Sequence, residues 1–236
     1  GTMSYRTLFG VIGVTVGILC LIGGDSVLAA PPTIELRRDT LTSQALAGNL
    51  FGDPTERRIY VLLPPGYATS DQHYPVVYVM PWGQGEPSAN AFSFERAMNS
   101  LLDTGEIEEM IVVVPDGTNT LGGGLFLSSS IVGDYESYLT QDVVNYVDTH
   151  YRTRPTRDSR GLTGCSSGGT ASMRLGFKYP TVFSVVAATS GEWDWSLEVW
   201  PGLVERVQRL TKLPKDVRDL RVNVVTGSWI QIAAAT

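Results

Sequence analysis

Arg160-Gly161-Leu162-Thr163-Gly164-Cys165-Ser166-Ser167-Gly168-Gly169-Thr170-Ala171-Ser172-Met173-Arg174-Leu175-Gly176-Phe177-Lys178-Tyr179 is the stretch that decides the fold. Arg160 to Cys165 reads as a strand and Ser167 to Tyr179 as a helix, with a Gly-x-Ser-x-Gly pattern at Gly164–Gly168 joining them directly. In a glycine-rich chain that pentapeptide alone is weak, but a strand running in and a helix running out is the arrangement a nucleophile elbow requires. The serine of such an elbow sits on a tight, strained turn at the carboxyl end of the strand. Gly164 and Gly168 leave room for strand and helix to approach, and Ser166 projects its hydroxyl beyond the sheet. The backbone N–H of Ser167, at the helix N-terminus, would then be one oxyanion donor. Ser167 is not the expected nucleophile, because the glycine spacing centres on Ser166. The alternative is a Ser/Gly-rich turn that only caps a helix.

On either side of the elbow, strand-like and helix-like segments alternate. Arg58 to Leu63, Pro75 to Met80, Met110 to Val114, Phe183 to Ala188 and Leu220 to Thr226 are short apolar runs that predict strands. Phe92 to Leu102, Asp134 to Tyr151 and Leu203 to Leu210 have helical spacing. This alternation predicts one doubly wound, mostly parallel α/β sheet with helices on both faces. The loop from Gly117 to Gly133 is long and holds three consecutive glycines and three consecutive serines, and long loops on such scaffolds are often functional.

The chain has 236 residues, 43% hydrophobic and 18% charged, which suits one globular domain able to bury a core without disulfides or metals. A net charge of −6 without any Lys/Arg cluster argues against nucleic acid as a partner. Two cysteines, Cys20 and Cys165, exclude a disulfide framework and thiolate-rich metal sites, so neither a metal nor an organic cofactor is expected. Residues 1–30 read as a cloning remnant, Gly1-Thr2, followed by a secretory signal. Arg6 is its basic residue, Leu8 to Gly24 its uncharged apolar core, and Val27-Leu28-Ala29-Ala30 its cleavage site. The expectation is a mature domain of residues 31–236, secreted or periplasmic, with no stable membrane span after cleavage. An uncleaved anchor is the alternative, since the apolar core reaches the lower limit for a spanning helix.

With the elbow and its flanks in hand, the chain resembles a family of esterases that includes esterase D, enterochelin esterase-like proteins, feruloyl esterases and the antigen 85 mycolyltransferases, all α/β-hydrolases. The matching stretches are Arg58-Ile59-Tyr60-Val61-Leu62-Leu63-Pro64-Pro65-Gly66-Tyr67, Tyr74-Pro75-Val76-Val77-Tyr78-Val79 and Val112-Val113-Val114-Pro115-Asp116-Gly117. They continue through Gly133-Asp134-Tyr135-Glu136-Ser137-Tyr138-Leu139, Tyr151-Arg152-Thr153-Arg154-Pro155 and Asp158-Ser159-Arg160-Gly161-Leu162-Thr163-Gly164 into the elbow. The resemblance implies an ester- or thioester-cleaving serine enzyme acting on a small-molecule ester, or an acyltransferase of the mycolyltransferase type.

The departures from that pattern matter as much. Where the family has His-Gly, this chain has Met80-Pro81-Trp82-Gly83-Gln84-Gly85; a backbone N–H at Trp82 or Gly83 would be the second oxyanion donor, unless this is an ordinary strand-ending turn. Trp193, Trp195 and Trp200 would line an acyl pocket or serve as packing. No histidine follows Ser166, whereas the fold's usual order is Ser, acid, His. His73 and His150 fall at the amino ends of strands, a strand length of roughly 17–20 Å from the elbow. Glu192 and Asp194 are the remaining acidic candidates. The expectation is therefore a domain whose C-terminal strand and helix are missing, with a non-catalytic acyl-ligand or cell-envelope binding module carried as a second reading. A further expectation is homodimerisation through an unguarded edge strand at 220–232.

Overall fold

The chain divides into two units, Gly1–Pro31 and Pro32–Thr236, and the computed structural model describes residues 33–193, all within the second. The expected signal segment, Asp194, Trp195, Trp200, the strand over 220–226 and the dimerising edge over 220–232 lie outside the described residues.

Six described strands form one sheet in the order β1-β2-β4-β3-β5-β6. They are β1 (Glu35–Thr42), β2 (Glu56–Leu63), β3 (Val76–Met80), β4 (Ile111–Pro115), β5 (Arg160–Cys165) and β6 (Val185–Thr189). β2 is antiparallel to both its neighbours, whereas β4, β3, β5 and β6 pair in parallel. The sheet is therefore mixed and mostly parallel. β1 has no counterpart among the strands predicted from the sequence. It carries four charged residues, and only Leu41 on it is buried, so neither an apolar run nor a clean alternation announces it.

Alternation along the central strands sends side chains to two cores. Ile59, Val61 and Leu63 of β2, Val76, Tyr78 and Met80 of β3, and Ile111 and Val113 of β4 point to one face. There they meet Tyr138, Val143, Val144 and Val147, together with Ala171 and Leu175 of α4 (Ser167–Lys178). Tyr60, Leu62, Val79, Val112 and Val114 point to the other, where Ala91 and Met98 of α1 (Ser88–Asp103) cover them. Burial on both faces is what makes β3 and β4 read as continuous apolar runs.

The helix expected over Asp134–Tyr151 has a π-helical interior: α2 (Tyr135–Ser137), a π segment (Tyr138–Val143) and α3 (Val144–His150). Buried Tyr138 and Val143 stand five positions apart, one more than an α-helical turn places on one face. The wider π turn brings both to the core.

Candidate active site

The elbow forms where β5 meets α4. Ser166 adopts φ 54° and ψ −127°, one of three described non-glycine residues with positive φ, and its side chain is exposed. Its N–H donates to the Thr189 carbonyl at the end of β6, and its carbonyl accepts from the N–H of Thr170, 3.0 Å away. The glycines explain how so tight a turn fits. A Cβ on Gly164 would lie 2.4 Å from the Gly168 oxygen, one on Gly168 only 2.1 Å from the Met80 oxygen, and one on Gly169 2.4 Å from the Thr189 oxygen. Helix and strands therefore touch backbone to backbone, and α4 directs its N-terminal N–H groups and positive dipole end toward the turn.

β3 lies beside β5, with Met80 opposite Gly164, so the turn after β3 reaches the same rim as Ser166. The Ser167 hydroxyl donates to the Gly83 carbonyl at 3.1 Å, bringing Ser166, Ser167, Trp82 and Gly83 into one neighbourhood. The Trp82 N–H is directed at Oδ1 of the buried Asn90 of α1, at 3.4 Å, while no described acceptor takes the Gly83 N–H. Asn90 went unnoticed in the sequence, where it is one polar residue in a helical run.

Beyond β6 the chain turns through Ser190, at φ 52°, and Gly191. The Glu192 N–H donates to Thr170 Oγ1 at 2.9 Å, which places the Glu192 backbone beside the first turn of α4. Trp193 is about half exposed, and its ring lies 2.4 Å from where a Gly191 Cβ would stand. Trp82 is 38% exposed.

Both histidines are at the opposite rim. His73 precedes β3, and its Nδ1 lies 2.7 Å from the Thr153 carbonyl; His150 ends α3 and stacks on Tyr146 at 4.0 Å. Tyr74 and Thr153 form a parallel bridge at that end, so the length of β3 and β5, roughly 17 Å by strand rise, separates both rings from the elbow.

The long loop closes against the same machinery. Ser128 Oγ donates to Asp134, the N-cap of α2, and Ser129 exchanges backbone bonds with Gly133. The buried Glu136 carboxylate accepts from Arg174, from Lys178 Nζ at 2.7 Å and from the Tyr179 hydroxyl at 2.5 Å. Arg174 in turn donates to the Leu125 and Phe126 carbonyls, so loop, α2 and elbow helix form one unit. Burial alone would push the Glu136 carboxyl up, but the bonds from Lys178 and Tyr179 and the charge of Arg174 outweigh it and hold it below its ordinary range.

A family model described as "Putative esterase" matches residues 54–231. The chain belongs to this esterase family. Its fold is that of the α/β-hydrolases. Among its curated relatives, "Esterase Rv1288" of Mycobacterium tuberculosis (strain ATCC 25618 / H37Rv) is 28% identical over 137 residues, covering 56% of this chain and 28% of the relative. "Endo-1,4-beta-xylanase/feruloyl esterase" of Xylanibacter ruminicola is 27% identical over 138 residues, covering 56% of this chain and 19% of that protein. A solved "ferulic acid esterase" superposes with a TM-score of 0.59 at 25% identity, covering 68% of this chain and 60% of its own. An S-formylglutathione hydrolase from Agrobacterium tumefaciens shares the fold at a TM-score of 0.50 and 22% identity, over 71% of this chain and 62% of that one. The chain thus spans under a third of the length of the curated relatives named here. No helix among the described residues is long and apolar enough to cross a membrane, and no group of His, Cys, Asp and Glu among them is arranged to hold a metal.

Proposed function

We propose that this esterase-family chain is a secreted or periplasmic serine carboxylic-ester hydrolase that works through an acyl-enzyme on Ser166. The observation that carries the reading is the strained, exposed Ser166 on a strand–helix turn lined by glycines too closely packed to accept a Cβ. Ser166 Oγ attacks the acyl carbon, and its proton passes to the alkoxide, which leaves as the alcohol. Water then adds to the acyl-enzyme, the carboxylic acid departs, and a proton from the water restores the Ser166 hydroxyl. The developing oxyanion is held by the Ser167 N–H and by the Gly83 N–H; Gly83 is favoured over Trp82 because Asn90 draws the Trp82 N–H away. Trp82 and Trp193, both exposed on this rim, flank the acyl group. These steps call on no metal or organic cofactor, and the substrate is a small-molecule carboxylic ester. The signal-like segment at residues 1–30 supports export.

Neither His73 nor His150 reaches Ser166, and Glu192, beside the first turn of α4, is the acidic residue nearest the elbow in the described chain after β6; Asp194 follows it in sequence. The position of both histidines favours a second reading, a module that binds acyl ligands without turning them over. The discriminating experiment is p-nitrophenyl ester hydrolysis by the chain and by Ser166→Ala, with a fluorophosphonate label located by mass spectrometry. Turnover and labelling at Ser166, both lost in Ser166→Ala, are expected. Equal turnover by the variant overturns the nucleophile, and ester binding without turnover favours the binding module.

A further inference from the structure

The turn that would present the second oxyanion donor is built from residues that cannot hold themselves in place. Gly83 and Gly85 have φ of 68° and 83°, and glycine populates both signs of φ with little preference. Its own Gly85 N–H to Trp82 carbonyl bond is long, at 3.5 Å. An oxyanion donor is effective only when oriented before charge develops, so the restraint has to come from outside the turn.

Two contacts supply it from opposite sides. The Ser167 hydroxyl donates to the Gly83 carbonyl at 3.1 Å, and because the peptide unit is planar, fixing that carbonyl fixes the plane it shares with the Gln84 N–H. The glycine run packs on the turn by backbone alone: a Cβ on Gly124 would lie 2.4 Å from the same Gly83 oxygen, and one on Gly123 2.6 Å from the Gln84 oxygen. The Gly117 N–H donates to the Gly85 carbonyl at 2.9 Å, and the Gly124 N–H to the Gly117 carbonyl at 3.1 Å, which locks the glycine run to the same turn.

We propose that the Ser167 hydroxyl is a positioning group, and Gly123-Gly124 its backing, that together hold the Trp82–Gly85 turn in register with Ser166. Ser167 then acts twice: its N–H binds the oxyanion, and its hydroxyl anchors the peptide directly after Gly83, which limits how far the Gly83 donor can swing away. The inference rests on Ser166 as nucleophile and Gly83 as donor for its catalytic consequence, but the clamp itself can be read without turnover.

The test compares the full chain with Ser167→Ala, Ser167→Thr and Gly124→Ala. Amide hydrogen exchange in the peptide covering residues 82–86 is expected to quicken by about tenfold in Ser167→Ala, with β3 and β5 unchanged, and to return to the original rate in Ser167→Thr. With p-nitrophenyl esters, kcat is expected to fall roughly 10- to 100-fold in Ser167→Ala with KM unchanged, and to recover in Ser167→Thr. Gly124→Ala should reproduce the loss of kcat by displacing the turn; if it fails to fold, the Ser167 pair decides alone. Unchanged exchange at 82–86, or faster exchange with unchanged kcat, overturns the proposal. A parent chain without turnover refutes the esterase reading, and the exchange measurement still decides the clamp.

Discussion

Ser166 holds a backbone conformation that L-residues avoid, at φ 54° and ψ −127°. Strain of that kind is stored at functional sites and costs stability. Ser166→Gly is therefore expected to raise unfolding free energy by about 1 kcal/mol while abolishing fluorophosphonate labelling, checked by urea titration beside the labelling assay. A stability loss would mean that the turn is held by the serine side chain and not merely tolerated. The histidines set a second expectation at this scale. With both rings at the far rim, ester turnover should rise with pH without an inflection in the histidine range near 6.5, and His73→Ala and His150→Ala should leave the profile unaltered. A stopped assay from pH 5 to 9 measures this directly.

At the scale of elements, the decisive contact is α4 against the ends of β3 and β6. Alanine is the better helix former, so Gly168→Ala would stabilise an isolated helix by up to about 1 kcal/mol. Here the added methyl would meet the Met80 oxygen at 2.1 Å, so the same change is expected to destabilise the domain by about 2 kcal/mol or more in thermal unfolding. The Glu136 cluster ties α2 to α4 and has a pH signature. A carboxyl held below its ordinary pKa, about 4.3 for Glu, contributes stability above that pH and loses it as pH falls through the lower folded value. Glu136→Gln should cost about 2 kcal/mol near neutrality, because Arg174 loses its anionic partner, and should flatten the decline in stability below pH 4.5. Some slope will remain, because Asp134 is also held low: burial pushes it up, and bonds from Ser128 and Ser137 more than offset that.

For the molecule as a whole, the described sheet ends on one side at β6. Like β1 on the other side, that strand is an edge of the described sheet, and Val185 on it is 59% exposed. The apolar run 220–232 is proposed to pair with a second copy, which predicts a dimer of residues 31–236 by multi-angle light scattering at tens of micromolar, disrupted by Val224→Lys. A monomer, or a dimer the lysine leaves intact, refutes it.

The sequence by itself determined the order of strands and helices from β2 to β6, and the elbow, because these rest on local periodicity and on a motif read together with its flanks. β3, β4 and β5 announce themselves through apolar runs or junctions, whereas the π turn over Tyr138–Val143 lay inside a span that reads as one ordinary amphipathic helix. β1 stayed hidden because a charged edge strand takes its identity from pairing with β2, which no local pattern encodes. Only the tertiary structure decided what meets at the rim. The Ser167 hydroxyl finds the Gly83 carbonyl across 84 positions of sequence, Asn90 claims the Trp82 N–H, and Gly124 closes on the same turn from a distant loop. Those contacts depend on the lateral order of β4, β3 and β5, which sets which strand ends share a rim; each has on one side a backbone group of the kind every residue carries, so the sequence does not say which residue the other side will meet.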